Sequence, residues 1–149
     1  MALSTPSATL WHAVPVALSV TASDSSDAIR QTAALWSDTA PPGALPGLVD
    51  AILAREAIMS TALPGGVALP HARSSALVEP LAAIVRLTQP VDFAGSPVWL
   101  IAALASPASQ PAVHLELLHS LSRVLSDPEQ VLRLQHAVSA GEVRALFIG

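Results

Sequence analysis

The chain has 149 residues, a length that favours one domain with one core. Hydrophobic residues make up 52% of the sequence and charged residues 12%, which is far from the composition of a disordered chain. A net charge of −4, with seven arginines and no lysine, argues against a nucleic-acid-binding protein, and the absence of cysteine excludes disulfides, thiolate metal sites and cysteine nucleophiles.

The apolar segments are too short to cross a membrane. The longest run, residues 98–105, lies between two prolines and falls well short of the ~20 residues that a spanning helix needs. Residues 10–22 are apolar and end in a sequence that faintly resembles a signal-peptide cleavage site. Pro15 divides that segment, however, and no positive charge precedes it. The sequence therefore predicts a cytoplasmic protein without direct membrane insertion.

The pattern predicts one folded domain after a short tail. Residues 1–9 lack periodicity, so we expect a disordered tail there and a domain over residues 10–149. Residues 14–20 alternate as a strand does. Asp24 and the serines after it offer N-cap oxygens for a helix that we expect to end near Trp36.

A second helix and a short strand lead to the first candidate residue. The helix is predicted over about residues 45–59, with Arg55 on its apolar face. That face also carries Leu48, Ile52 and Met59. A Pro-Gly-Gly turn follows, and strand 67–69 runs into Pro70-His71. His71 is therefore predicted to lie at a strand end, where α/β sheets usually place ligand sites.

The second half of the chain contains two apolar strands and three helices. Residues 81–87 and 98–105 have the length of buried strands, and each run is closed by a proline. Pro111 at the first helical position predicts a helix with His114 in its first turn. Capping-box patterns predict two short final helices. The elements together predict a single α/β (α+β) domain, a mixed β-sheet flanked by helices on both faces.

The five histidines differ in their surroundings. His12, His119 and His136 lie near the tail or on polar helix faces, where solvated surface roles fit best. His71 follows a proline that stiffens its turn, although a histidine in such a turn is more often structural. His114 lies where the helix N–H groups and dipole favour a bound phosphate or carboxylate, although such a residue is often only a helix boundary.

Arg55 is the third candidate. A guanidinium on an apolar helix face needs an anionic or hydrogen-bonding partner, and both the Glu56 carboxylate and a phosphate satisfy that need. His71, His114 and Glu116 do not form a metal-binding pattern, because residues two apart on a helix do not converge. The sequence predicts neither a metal nor a cofactor.

Three motifs follow one another in a specific order. They are Arg55-Glu56, the run Gly66-Val67-Ala68-Leu69-Pro70-His71-Ala72-Arg73, and His114-Leu115-x-Leu117-Leu118. In this order, with Arg55 16 positions before His71, they resemble the enzyme IIA domains of the fructose and mannitol (type 2) class of bacterial phosphotransferase systems. The resemblance covers nearly the whole chain. The turn before the Pro-His strand departs from the usual Ser/Thr-Gly-Ile-Gly, which leaves the subclass and the sugar open.

The resemblance implies a phosphotransferase with a phosphohistidine intermediate. It makes His71 the phosphoryl acceptor, with His114 and Arg55 lining the site and stabilising the transferred group. It also implies a donor, the histidine phosphocarrier protein, and an acceptor, a cysteine of a IIB component that has a membrane IIC component downstream. These partners are expected to be separate chains that act in sugar uptake.

Two other functional interpretations are also compatible with the sequence. A nitrogen-related regulatory IIA protein is phosphorylated in the same way but acts by binding other proteins. A non-catalytic interaction module keeps the fold for docking, with His71 merely structural. The sequence does not identify the reactive ring nitrogen, the oligomeric state or the cognate IIB component.

Overall fold

A six-stranded mixed sheet organises the structure, a computed structural model that describes residues 6–148. The strands are β1 (Val16–Val20), β2 (Ala62–Leu63), β3 (Val67–Ala68), β4 (His71–Ser74), β5 (Leu81–Phe93) and β6 (Ser96–Pro107). Their order is β1-β5-β6-β3-β2, and β4 also pairs with β6. The pairs β1–β5, β3–β6 and β4–β6 are parallel, whereas β5–β6 and β2–β3 are antiparallel.

Helices cover both faces of this sheet. They are α1 (Pro6–His12), α2 (Ser25–Ala33), α3 (Leu45–Ile58), α4 (Pro111–Leu125), α5 (Pro128–His136) and α6 (Ala140–Ile148), and a 3-10 turn, Ala34–Trp36, extends α2. One core cluster lies between the sheet and α1, α4, α5 and α6, and a second lies between the sheet and α2 and α3. The predicted architecture is therefore confirmed.

The two central strands read as continuous apolar runs because both of their faces are buried. Ile84 and Leu100 belong to the first core cluster, while their chain neighbours Val85 and Ile101 belong to the second. Side chains alternate between the two faces of a strand, so a strand covered on both sides needs apolar residues at every position. None of the helices in the described part of the chain is long and apolar enough to span a bilayer.

The predicted N-terminal tail was wrong over part of its length. Helix α1 begins at Pro6 and so includes positions assigned to the tail, whereas residues 1–5 lie outside the described residues. Trp11 holds the segment to the domain: its side chain is buried, and its ring centroid lies 5.3 Å from that of Phe147 in α6. This long-range contact leaves no local periodic signal.

Two predicted boundaries near the strands also change. His71 lies at a strand end, but it begins β4, because Pro70 has no N–H to continue the ladder from β3. Strand β5 does not stop before Pro90 but continues to Phe93, and β6 begins at Ser96. The two strands meet in a hairpin with its tip at Ala94-Gly95, where both residues have positive φ. Pro90 fits because it falls in the register shift between Arg86 and Val91.

Met59 does not lie on the buried face of α3. The helix ends at Ile58, and Met59 is in extended backbone with 69% of its side chain exposed. Leu48 and Ile52 are buried as predicted. The helical spacing was counted one residue beyond the point where the helix ends.

Gly66 allows the backbone before β3 to approach Trp99. Its φ is +85°, and a Cβ there would lie 2.5 Å from Trp99 Cδ1. Trp99 Nε1 also donates a hydrogen bond to the Gly65 carbonyl at 2.8 Å. The tight turn is therefore fixed by both conformation and contact.

We expect Gly66→Ala to lower the free energy of unfolding by about 2–4 kcal/mol, because it adds a steric clash to left-handed backbone strain. Gly95→Ala is the matched control: its φ is +96°, but nothing lies within 4 Å of the added Cβ. That control should lose only the strain part, ~1–2 kcal/mol. Urea denaturation measures both, and equal losses would contradict the proposed role of Trp99.

Candidate functional site

A cleft of about 870 Å³ lies where α3, β4 and the start of α4 meet. It contains all three candidates from the sequence, so the fold brings together residues far apart in the chain. Its polar and charged lining comes from Arg55, His71, Arg73 and His114, and its apolar lining includes Ile58 and Leu115. His12, His119 and His136 are exposed and lie outside this lining, as expected for surface histidines.

Backbone pairing fixes the position of His71. Strand β4 pairs with β6 so that His71 lies opposite Leu104, and the Leu104 N–H donates to the Pro70 carbonyl at 3.0 Å. The His71 Nδ1 atom lies 2.7 Å from the Leu69 carbonyl oxygen. A carbonyl oxygen can only accept, so Nδ1 carries the proton in this bond. In a neutral ring, Nε2 then holds the free lone pair.

A second set of hydrogen bonds supports the peptide that holds His71. The Glu56 carboxylate accepts from the Thr61 backbone N–H at 2.7 Å and from the Thr61 hydroxyl at 2.6 Å. The Leu69 N–H in turn donates to Thr61 Oγ1 at 3.2 Å and to the Thr61 carbonyl at 3.3 Å. The Glu56 carboxylate is thus connected to His71 through Thr61 and the backbone of Leu69.

Arg55 has a backbone partner. One of its guanidinium nitrogens donates to the Met59 carbonyl at 3.0 Å, while the Glu56 carboxylate binds Thr61. The guanidinium lines the cleft and is half-buried. Since a guanidinium has five donors, this bond leaves others for an anion in the cleft.

His114 faces His71 across the cleft. It lies in the first turn of α4, its side chain is 7% exposed, and its Nδ1 lies 2.9 Å from Ser106 Oγ. The ring centroids of the two histidines are 5.5 Å apart. Helix α4 begins without a side-chain cap, so the positive end of its dipole is available to an anion.

Burial keeps both imidazoles neutral. It lowers the pKa of His71 below 6.5, and the Arg55 charge acts in the same direction, while the Leu69 hydrogen bond and the Glu56 charge act in the opposite direction. Burial, and then repulsion by a protonated His71 and by Arg73, lower the pKa of His114 to about 4. The site therefore combines two neutral rings with two permanent cations, an arrangement suited to an anionic group.

Arg73 is a site residue that sequence reasoning missed. It is exposed, lines the cleft and lies two residues after His71 on β4. Residues two apart on a strand share a face, which was a usable signal once His71 was placed on a strand. Among residues 6–148, no three His, Cys, Asp or Glu side chains are grouped to hold a metal ion.

An NMR titration of the ring protons checks this electrostatic description. We expect a midpoint of about 4 for His114 and a midpoint below 6.5 for His71. Arg73→Gln should raise the His114 midpoint, because it removes a positive charge that disfavours protonation. Arg123→Gln, at an exposed position near the end of α4, is the control. A His114 midpoint that Arg73→Gln leaves unchanged would contradict the assigned cause.

The chain matches known proteins over most of its length. A protein-family model described as "Phosphoenolpyruvate-dependent sugar phosphotransferase system, EIIA 2" matches residues 11–148. A nitrogen regulatory protein from Pseudomonas aeruginosa is 37% identical over 92 residues, which cover 60% of this chain and 60% of that protein. A multiphosphoryl transfer protein from Salmonella typhimurium is 34% identical over 131 residues, which cover 86% of this chain and 34% of that protein.

The chain thus spans less than two thirds of the length of both curated relatives. Among solved structures, the nitrogen regulatory protein IIA-Ntr from Neisseria meningitidis superposes with a TM-score of 0.85 at 28% identity, covering 93% of this chain and 99% of that one. The family model and the superposition support the family resemblance that the sequence motifs predict. The chain therefore belongs to the EIIA 2 family of the phosphoenolpyruvate-dependent sugar phosphotransferase system.

Proposed function

We propose that this protein is a phosphoryl carrier. Nε2 of His71 accepts the phosphoryl group from the histidine phosphocarrier protein. The observation that carries the proposal is the hydrogen bond between His71 Nδ1 and the Leu69 carbonyl. It keeps the proton on Nδ1 and leaves the lone pair of Nε2 as the nucleophile. The lowered pKa of His71 supports this role, because a protonated ring has no lone pair to attack with.

The transfer forms one bond and breaks another. The Nε2 lone pair attacks phosphorus, an Nε2–P bond forms, and the bond from phosphorus to the donor histidine breaks. The His71 ring then carries both the phosphoryl group and the Nδ1 proton, and the Leu69 carbonyl accepts from that N–H. A ring that keeps this proton is a good leaving group when the phosphoryl group passes to a cysteine thiolate of a IIB component.

Arg55 and His114 are proposed to stabilise the group during transfer, and we add Arg73 to them. Charge spreads over the three equatorial oxygens of a phosphoryl group in transit, so catalysis depends on donors and cations placed around it. Arg55 and Arg73 provide two permanent charges that line the cleft with His71. His114 provides a ring nitrogen, and the start of α4 provides the positive end of a helix dipole.

Partner proteins are proposed to dock on the apolar surface beside the cleft. Ile58, Met59 and Leu115 are 81%, 69% and 67% exposed, and Ile58 and Leu115 also line the cleft. Large apolar side chains beside a reactive residue are typical of a surface that another protein covers. We propose that the phosphocarrier donor and the IIB acceptor bind this surface in turn and that the transfer takes place in the cytoplasm. The domain over residues 10–149, together with α1, is proposed to be the functional domain.

A regulatory role is the second candidate. The Pseudomonas and Neisseria relatives are both named nitrogen regulatory proteins. The same phosphorylation would then control binding to another protein and would not feed sugar uptake. The upstream step is common to both candidates, and the identity of the phosphoryl acceptor separates them.

Mass spectrometry tests the upstream step. After incubation with phosphoenolpyruvate, enzyme I and the phosphocarrier protein, the wild type should gain ~80 Da, one acid-labile phosphoryl group. His71→Ala should gain nothing, whereas the control His119→Ala, at an exposed histidine of α4, should gain the same mass as the wild type. Labelling of His71→Ala, or no labelling of the wild type by an active donor, would refute the proposal.

A matched pair of charge substitutions tests the docking surface. Ile58→Asp should slow phosphorylation by the phosphocarrier protein about tenfold or more, since it puts a charge into the proposed interface. Val78→Asp is the control, because Val78 is 80% exposed against 81% for Ile58 but does not line the cleft. Rates at several donor concentrations separate weaker docking from slower chemistry. Equal rates for the two variants would show that the partner docks elsewhere.

A further inference from the structure

The hydroxyl of Ser106 lies behind the His114 ring. Ser106 is in β6 and is fully buried, and His114 Nδ1 lies 2.9 Å from its Oγ. Among the residues that the structure describes, this hydroxyl has no hydrogen-bond partner, side-chain or backbone, other than the His114 ring. Strand pairing places Ser106 opposite Arg73 and Leu104 opposite His71, so β6 is in register with both cleft residues of β4.

The direction of this hydrogen bond follows from counting donors and acceptors. If His114 Nδ1 carried a proton and donated it, the Ser106 O–H would be a buried donor without an acceptor. An unsatisfied buried donor costs free energy, so this arrangement is disfavoured. If Ser106 donates to the Nδ1 lone pair, both groups are satisfied. The second arrangement is therefore favoured.

We propose that Ser106 is a positioning residue that holds His114 in the tautomer protonated at Nε2, so that His114 donates a hydrogen bond to the phosphoryl group on His71. This inference rests on the proposed function of His71. A neutral imidazole has one N–H, and its other nitrogen can only accept. With Nδ1 bound to the buried serine and His114 lining the cleft, Nε2–H is the group left to bind an anion there.

The two histidines thereby adopt opposite tautomers, with the proton on Nδ1 of His71 and on Nε2 of His114. The Leu69 carbonyl accepts from His71 Nδ1 and leaves Nε2 as a nucleophile, whereas the Ser106 hydroxyl donates to His114 Nδ1 and leaves Nε2–H as a donor. The 5.5 Å between their ring centroids places donor and nucleophile on the same cleft. The low pKa of His114 agrees with a ring that donates without taking up a second proton.

The test reads the tautomer and the transfer rate in the same proteins. In protein labelled with nitrogen-15 histidine, ¹H–¹⁵N correlations at neutral pH should show His114 protonated at Nε2. Ser106→Ala should give mixed tautomers and slow phosphorylation of His71 by about three- to tenfold, the effect of one ordinary hydrogen bond. Ser106→Thr, which keeps the hydroxyl, should restore both readings. Ser109→Ala, at an exposed position in the loop before α4, should match the wild type.

Two outcomes would overturn the proposal: a wild type with the His114 proton on Nδ1, or a folded Ser106→Ala that transfers at the wild-type rate. The tautomer is read in unphosphorylated protein, so it does not depend on transfer. A wild type that carries Nε2–H on His114 but takes up no phosphoryl group would refute the proposed function and the transfer role together, while supporting the contact between Ser106 and His114 itself.

Discussion

The hydrogen bond from His71 Nδ1 to the Leu69 carbonyl depends on a short piece of backbone between two strands. Pro70 interrupts the ladder there, and Leu69 directs its carbonyl to the imidazole and its N–H to Thr61. Glu56 holds Thr61 through two short bonds. The orientation of one ring is therefore fixed by a helix, a turn and the sheet together, and this preorganisation is what an in-line transfer requires.

The electrostatics of the cleft follow from burial and from the choice of cation. Arginine keeps its charge under all relevant conditions, whereas a histidine loses its charge when water is removed. Arg55 and Arg73 therefore stay positive beside two neutral rings. This arrangement suits the proposed role, in which fixed charges hold a phosphoryl group and His71 acts as the nucleophile.

Motif order predicted Arg55, His71 and His114 as candidates, and the fold brings these three residues to one cleft. Local patterns located most helices and strands. Arg73 was missed although it lies two residues after His71 on the same strand, so its spacing was a usable signal. Ser106 was missed because its placement depends on the pairing of β4 with β6, which local spacing does not reveal. The Thr61 contact spans a turn, and α1 is held by Trp11 against Phe147, a contact between opposite ends of the domain. The predicted strands of the β5–β6 hairpin were too short because a proline ordinarily ends a strand. Here Pro90 falls in a register shift, where the strand tolerates it.

Identifying which ring nitrogen of His71 carries the phosphoryl group is the most direct test of the proposed mechanism. Phosphorus–nitrogen coupling in the phosphorylated, nitrogen-15 histidine-labelled protein distinguishes the two ring positions. We expect a phosphoryl group on Nε2 and a proton on Nδ1, hydrogen-bonded to the Leu69 carbonyl. A phosphoryl group on Nδ1 would contradict this mechanism, because that atom would first have to give up the hydrogen bond on which the site is built.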